Sequence, residues 1–449
     1  MITALIIYLA FLIIIAFRSA RSVKDIPDFF VARKGASAKA VAGSLVATIL
    51  GGSAVIGAID SGVKLGGAAS WFMLVGALGL IALIPLAGRA YSHGKYALPD
   101  LVENLYGKGP RLVASLVIPI AWTGIVAAQI IAAAKLLMTF TPMEYNTAAI
   151  VSAAVFTGYT LAGGQQSILR TDFLQACLII LGLVALAGFA LFGGAGESAR
   201  TLPEILRTAP AFPFHANFTP IDLFLLILTY GTTYTAGPDI FSRVFCAKDT
   251  ATAKKGIAIA AGTLIPVAFV IGFLAVYGVS LENVQGARIT AIANAVLPPA
   301  LLPLLALALL SVVLSSADTT LLSSSVILCG LFQRKGDGNL AKARIVIFAN
   351  GIVALLLALV FTDIIGTLLL ALAVYAGAFT VPILWGLFGL RSKPKFVAAA
   401  IVAGGVLALA GKLCPALPGA LGAHTGDILM IAAFVVNAAI LAAGKLHTK

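Results

Sequence analysis

Long apolar stretches, separated by short polar segments, follow one another along almost the whole chain. A bilayer core needs about 20 mostly apolar residues per helix. Thirteen apolar windows fall near 2–17, 41–62, 70–88, 111–138, 146–163, 172–193, 221–242, 256–278, 300–332, 344–361, 364–388, 396–412 and 427–444. The pattern therefore predicts thirteen membrane-spanning helices.

One of these windows carries a polar centre. Residues 314–325 read LSSADTTLLSSS, which places seven hydroxyl groups and the carboxylate of Asp318 inside the window 300–332. Lipid tails offer such groups no hydrogen-bond partner. These side chains must therefore face protein, water or an ion.

Composition agrees with the hydrophobic pattern. The chain is 61% hydrophobic and only 10% charged, with a mean hydropathy of +1.07. Soluble domains are nearer one quarter charged. We therefore predict an all-α integral membrane protein that crosses the membrane many times.

The basic residues indicate how the helices are oriented. With the N-terminus outside, the predicted inner loops hold 24 of the 30 Lys and Arg residues, Arg170 and Arg243 among them, and the outer loops hold five. Cytoplasmic loops of membrane proteins carry such an excess. We expect an outer N-terminus and a cytoplasmic C-terminus in a cell membrane. The net charge of +13 then reflects topology, and we expect no nucleic-acid partner.

Motifs for membrane enzymes and ATP-driven pumps are missing from the sequence. The four histidines fall in predicted loops or tails without a His-Glu-x-x-His spacing, and no glycine-rich phosphate loop with a lysine occurs. The four cysteines are scattered, which is typical of small apolar core residues. We therefore expect no enzyme, and a carrier, a channel or a membrane sensor remain.

Two glycine-containing segments predict an internal symmetry. Residues 50–53 read LGGS at the centre of one window, and residues 230–234 read YGTTY at the centre of another, about 180 residues later. Transporters often contain inverted repeats in which one helix of each repeat breaks at mid-membrane. Glycine can also simply allow close helix packing. The predicted units are 1–39 (leading helix and loop), 40–193 (first repeat), 194–220 (extracellular loop), 221–390 (second repeat) and 391–449 (two trailing helices).

Several motifs point to one family. The run GYTLAGGQQSILRTDFLQ at 158–175 resembles a signature of the sodium:solute symporter family, and GPDIFSRVFCAK at 237–248 is similar to its second signature. YALPDLVE at 96–103, the hydroxyl-rich run and PILWGLF at 382–388 also resemble segments of this family, in the family's order. The resemblance covers about residues 20–400. It implies a leucine-transporter-type fold, with one leading helix, ten core helices in an inverted five-plus-five repeat and two trailing helices.

The resemblance also implies a sodium-coupled symporter that imports a small organic solute by alternating access. Proton coupling on the same fold and, less consistent with the clustered polar residues, a channel stay open as alternatives. Sodium needs several oxygen ligands. The residues at the family's shared sodium site are Ala47, Leu50 and Val312 through their carbonyls, and Ser315 and Ser316 through their hydroxyls. Paired membrane serines also bond back to the preceding helical turn.

Asp172 and Asp318 form a less usual pair, because carboxylates at membrane depth are costly without a partner. By resemblance, Asp172, Asp318 and Thr319 lie where some family members bind a second cation, although a serine usually stands at the position of Asp318. That acid is predicted to strengthen a second cation site, to hold a proton or to cap nearby backbone.

The solute is predicted to lie between the two helix breaks. The candidates to contact it are Ser53, Ala54, Gln129, Tyr230, Thr233 and Tyr234. Compared with the sugar-transporting members, Ala54 and Met73 replace polar positions, which argues against a sugar. An amino acid, a short carboxylate or a vitamin-like acid fits better, and the sequence does not choose among them.

Overall fold

A computed structural model describes residues 2–21, 23–192, 210, 212–281, 284, 286–332, 339–361, 363–413 and 425–445. Most of the predicted loop 194–220 lies outside these residues. Within the described residues the secondary structure is helical, with isolated β-bridges such as Ala36–Ala247. The α-helices are α1 (Ile2–Ala20), α2 (Ile26–Val31), α3 (Ala38–Ile49), α4 (Ala58–Asp60), α5 (Gly62–Leu65), α6 (Trp71–Leu83), α7 (Ala87–His93), α8 (Leu98–Tyr106), α9 (Lys108–Phe140), α10 (Tyr145–Phe192), α11 (Pro220–Leu226), α12 (Thr232–Ala236), α13 (Pro238–Cys246), α14 (Thr250–Val279), α15 (Arg288–Val296), α16 (Leu302–Phe332), α17 (Leu340–Val360), α18 (Ile364–Leu387), α19 (Pro394–Leu413) and α20 (Thr425–Ala443).

The predicted multi-pass architecture is confirmed. In the described part of the chain, nine helices are long and apolar enough to cross a membrane, and a bent pair makes a tenth. One of the nine, α10, has 48 residues and is bent at Gly164, where φ is 54°. A straight helix of that length would extend about 72 Å, more than twice the bilayer core. The bend lies between the predicted windows 146–163 and 172–193, while the count of thirteen spans stays a prediction.

The first predicted break is confirmed. Helix α3 begins at the N-cap Ser37, whose side chain accepts from the Ala40 amide, and it ends at Ile49. The segment Ser53–Asp60, which starts with a π-helical turn, continues at an angle of 55°. The glycines allow close packing here, because a Cβ on Gly51 would lie 2.5 Å from Ser316 Oγ.

The second break is longer than predicted. Helix α11 continues into a π-helical turn over Ile227–Gly231, and α12 follows directly. The chain leaves the helical conformation only at Gly237, where ψ is 142°. A Cβ at Gly237 would lie 2.3 Å from the Thr233 carbonyl oxygen, so the turn into α13 requires a glycine. The predicted segment 230–234 thus lies inside a distortion that extends from residue 227 to residue 237.

The hydroxyl-rich helix α16 lies near the centre of the molecule. It packs against α10 and α9, and α3 packs against α10, α14 and α16. All seven hydroxyl side chains in residues 314–325 are buried. The polar run therefore faces protein, as the hydrophobic pattern requires.

Candidate functional site

The structure places one predicted sodium ligand of α16, Ser315, beside one of α3, Ala47. The Ser315 hydroxyl lies 2.9 Å from the Ala47 carbonyl oxygen, 3.4 Å from that of Val312 and 2.8 Å from that of Ser311. A hydroxyl donates one hydrogen bond and has two acceptor lone pairs. When its proton points at Ser311, one turn earlier on the same helix, the oxygen of Ser315 is free to face a cation beside Ala47.

Two further predicted sodium ligands, Ser316 and Leu50, do not share the contacts of Ser315. The Ser316 hydroxyl donates to the carbonyl oxygen of Thr48 at 2.8 Å. Leu50 is fully buried and follows the last residue of α3, so its carbonyl belongs to the break. Thr48 was not predicted as a site residue, although its place within one turn of Ala47 and Leu50 was a usable signal.

A second group of buried polar side chains surrounds Asp172. Its Oδ2 accepts a short hydrogen bond from the Ser44 hydroxyl and lies 3.5 Å from Arg243 Nη2. Arg243 Nη2 also donates a short hydrogen bond to the Thr319 hydroxyl, which lies 3.3 Å from Asp318 Oδ1. The carboxylates of Asp172 and Asp318 and the guanidinium of Arg243 thus belong to one buried network.

The assignment of Arg243 to an inner loop is wrong. The residue belongs to α13 and its side chain is 0% exposed. Its Nε lies 2.9 Å from the Ser44 hydroxyl and its Nη1 lies 2.8 Å from that of Ser242. A buried guanidinium is tolerated because it is paired and hydrogen-bonded. Arg243 was assigned to a loop because it directly follows the apolar window 221–242.

Two carboxylate oxygens of this network remain unsatisfied. Asp172 Oδ1 and Asp318 Oδ2 are buried and have no hydrogen-bond partner in the described part of the chain. Buried polar atoms are nearly always bonded, so an unsatisfied pair calls for an explanation. With both acids ionised, one guanidinium leaves a single negative charge, which one monovalent cation or one proton would neutralise.

All six predicted solute contacts line a single cavity. The cavity lies between the two helix breaks and encloses about 40 Å³, with Ser53, Ala54, Gln129, Tyr230, Thr233 and Tyr234 in its wall. This is room for roughly three water molecules at about 10–15 Å³ each. The structure therefore gathers the six candidates around one small space.

The cavity wall also contains residues that the sequence did not identify. Thr48, Trp122, Asp239, Thr320 and Leu368 line it, and so does Ser316, which was predicted as a sodium ligand. The Tyr230 and Tyr234 rings meet edge to face, with centroids 5.1 Å apart. Asp239 follows the Gly-Pro pair that starts α13, and this pair was the available signal for a polar residue at a helix restart.

Comparison with known proteins identifies the family. A model of the sodium:solute symporter family matches residues 29–401. The chain belongs to the sodium:solute symporter family. This family consists of secondary transporters, so the prediction that the chain is not an enzyme is confirmed together with the family itself.

The relatives of this family member include proline transporters. The chain is 25% identical over 386 residues to the high-affinity proline transporter PutP of Bacillus subtilis, covering 81% of this chain and 78% of that protein. It is 25% identical over 252 residues to the sodium/proline symporter of Haemophilus influenzae, of which it covers 47%. The match thus spans about half the length of the latter protein.

A solved structure supports the fold of this family member. A Na⁺-coupled sialic acid symporter, in a substrate-bound outward-open state, aligns with a TM-score of 0.79 at 17% identity. The alignment covers 99% of this chain and 98% of the other. At this identity the likeness shows the fold alone, and the predicted leucine-transporter-type architecture agrees with it.

Proposed function

We propose that this protein is a sodium-coupled secondary symporter that imports a small organic solute by alternating access. The observation that carries the proposal is the contact of Ser315 with the Ala47 carbonyl, 2.9 Å across two helices. Hydroxyl and carbonyl oxygens at a helix break suit a small hard cation. Ala47, Leu50, Val312, Ser315 and Ser316 would hold the transported sodium ion.

Coupling between ion and solute follows from shared residues. Thr48 and Ser316 join α3 to α16 by a hydrogen bond, and both also line the solute cavity. A cation that holds these helices together would pre-form one wall of the cavity. Two ligands that favour the same arrangement raise each other's affinity by the same factor.

Asp172, Asp318 and Thr319 would form a second cation site. Support comes from the two unsatisfied carboxylate oxygens and from the single negative charge that Arg243 leaves. A monovalent cation there would leave the buried network neutral, whereas a divalent ion would leave it positive. Proton coupling at the same acids is the alternative.

The finer features of the proposal rest on the charge pattern, on the helix bounds and on the relatives. The basic residues support an outer N-terminus and a cytoplasmic C-terminus in a cell membrane. The predicted repeats 40–193 and 221–390 each begin near a helix break. Proline transporters among the relatives support an amino-acid-like solute.

Uptake into proteoliposomes tests the proposal, with labelled amino acids and short carboxylates as probes. We expect saturable uptake that needs an inward sodium gradient. Ser315→Ala should raise the half-saturating sodium concentration about tenfold or more, the equivalent of ~1.4 kcal/mol. Ser152→Ala is the matched control, because the buried Ser152 hydroxyl donates to the Ala148 carbonyl of its own helix at 2.7 Å.

Three results would contradict the proposal. Equal uptake in a potassium or a proton gradient would exclude sodium coupling. Flux that does not saturate would indicate a channel. Equal sodium dependence in the wild type and in Ser315→Ala would show that the ion binds elsewhere.

A further inference from the structure

One carboxylate in the cavity wall has no role in the proposed function. Asp239 lies in the first turn of α13 and lines the solute cavity together with Trp122, Tyr230 and Tyr234. It is separate from the acids of the cation network. Its place in the wall exposes an acid to whatever the cavity binds.

No basic side chain in the described part of the chain forms an ion pair with Asp239. Among the described residues, no basic side chain lies within 4.0 Å of its carboxylate. The nearest candidate, Arg243, reaches only the Asp239 backbone carbonyl, at 3.3 Å. Its guanidinium is engaged by Ser44, Thr319 and Asp172. Arg243 therefore acts on Asp239 only at longer range, and the carboxylate keeps room for a direct ion-pair partner on the solute.

The protein itself supplies only a weak partner. Asp239 Oδ1 accepts from the adjacent Ile240 amide at 3.1 Å, and the start of α13 offers a favourable helix dipole. A carboxylate at membrane depth otherwise needs a counter-charge. A cationic group on the solute would provide one on binding.

The remaining wall suits the same kind of ligand. Aromatic faces attract cations, and quaternary ammonium groups are often held between them. Trp122 Nε1 is buried and has no hydrogen-bond partner in the described ranges. The wall thus combines an acid with aromatic residues, as a site for a cationic group requires, and one of these aromatics carries an unsatisfied N–H donor.

We propose that Asp239 binds a positively charged nitrogen of the transported solute. The solute class is then a small compound with a protonated or quaternary amine, zwitterions included, and neutral sugars and simple carboxylates are excluded. This inference rests on the proposed function, because it assigns the solute cavity to the transported compound.

Pairs of probes that differ only in the nitrogen test this inference. L-proline is matched with tetrahydrofuran-2-carboxylate, glycine betaine with 3,3-dimethylbutanoate, and choline with 3,3-dimethylbutanol. Sodium-dependent thermal stabilisation of the purified protein is measured for each. We expect at least one nitrogen compound to bind tenfold or more tightly than its isostere.

Variants assign the selectivity to the residue. Asp239→Asn should abolish the preference for the nitrogen compound and keep the stabilisation by sodium alone. Asp239→Glu keeps the charge, so it should keep the preference at altered affinity, and it replaces the Asn variant if that one does not fold. Asp222→Asn is the matched control, because this acid also caps a helix start, bonding the Thr219 amide at 2.8 Å.

The possible results separate the two proposals. Equal binding of the isosteres, no binding of any nitrogen compound, or a preference that survives in Asp239→Asn would overturn this inference. A purely capping role for Asp239 predicts the last of these results. Absence of any sodium response in the wild type would instead contradict the sodium-coupled function.

Discussion

At the scale of single residues, Arg243 is the buried side chain that joins three other helices through its polar contacts. It reaches Ser44 on α3, Asp172 on α10 and Thr319 on α16 from its own position on α13. Arginine stays charged in proteins, so its burial depends on these partners. Breaking a buried ion pair by removing one partner leaves an uncompensated charge and costs about 3–5 kcal/mol.

We therefore predict that Arg243→Gln and Asp172→Asn each lower the free energy of unfolding by about 3–5 kcal/mol. The double variant should lose clearly less than the sum, because it removes both charges together. Denaturation in detergent measures this. Glu103→Gln is the control, since its pair with Arg111 is 21–28% exposed and should contribute less than about 1 kcal/mol. Strictly additive losses would show that the two residues do not act as a pair.

The sequence predicts some of these residues better than others. Ser315 and Ala47 could be paired in advance because the family's motifs place them, and the structure brings them together. Arg243 could not, since a basic residue after an apolar window is typical of a cytoplasmic loop. The sequence places Asp239 only within a family motif. The folded chain shows in addition that Asp239 shares a cavity with Tyr234.

At the scale of helices, glycine content indicated where the breaks lie but not how far they extend. The break after Ile49 coincides with Gly51 and Gly52. In the second broken helix, Gly231 ends a π-helical turn and Gly237 makes the actual exit. Helix continuation after Gly231 depends on contacts with other helices, which a local pattern does not contain.

One such contact joins α6 to the second broken helix. A Cβ at Gly79 would lie 2.2 Å from the Gly231 carbonyl oxygen, and the Thr235 hydroxyl donates to the Gly79 carbonyl at 2.9 Å. We predict that Gly79→Ala forces the helices apart and costs about 1–3 kcal/mol of stability. Gly262→Ala, in a helix and with no atom within 4 Å of the new Cβ, should be neutral or stabilising. Melting temperatures of both variants test this, and an unchanged Gly79→Ala would show that the contact is not tight.

At the scale of the whole molecule, the buried acids of the network connect three separate parts of the chain. Helices α10 and α16 each contribute one acid, and Arg243 comes from the segment that follows the solute cavity. The network therefore links the proposed second cation site to the broken helix that lines the cavity. Asp318 can serve a cation, a proton or the backbone, and these roles differ in transport stoichiometry.

If Asp172 and Asp318 share a second transported cation, neutralising either acid should lower the number of sodium ions moved per solute. The double variant should then do little more than one single variant, because both remove the same ion. Reversal potentials in proteoliposomes measure the ratio for Asp172→Asn, Asp318→Asn and the pair. Asp249→Asn is the control, since this acid caps an exposed helix start by accepting from the Thr252 amide at 2.7 Å. A purely structural role predicts a lower melting temperature for Asp318→Asn at an unchanged ratio. An unchanged ratio in both single variants would exclude the second cation, because each variant removes the negative charge of one of the two carboxylates that carry the unsatisfied oxygens.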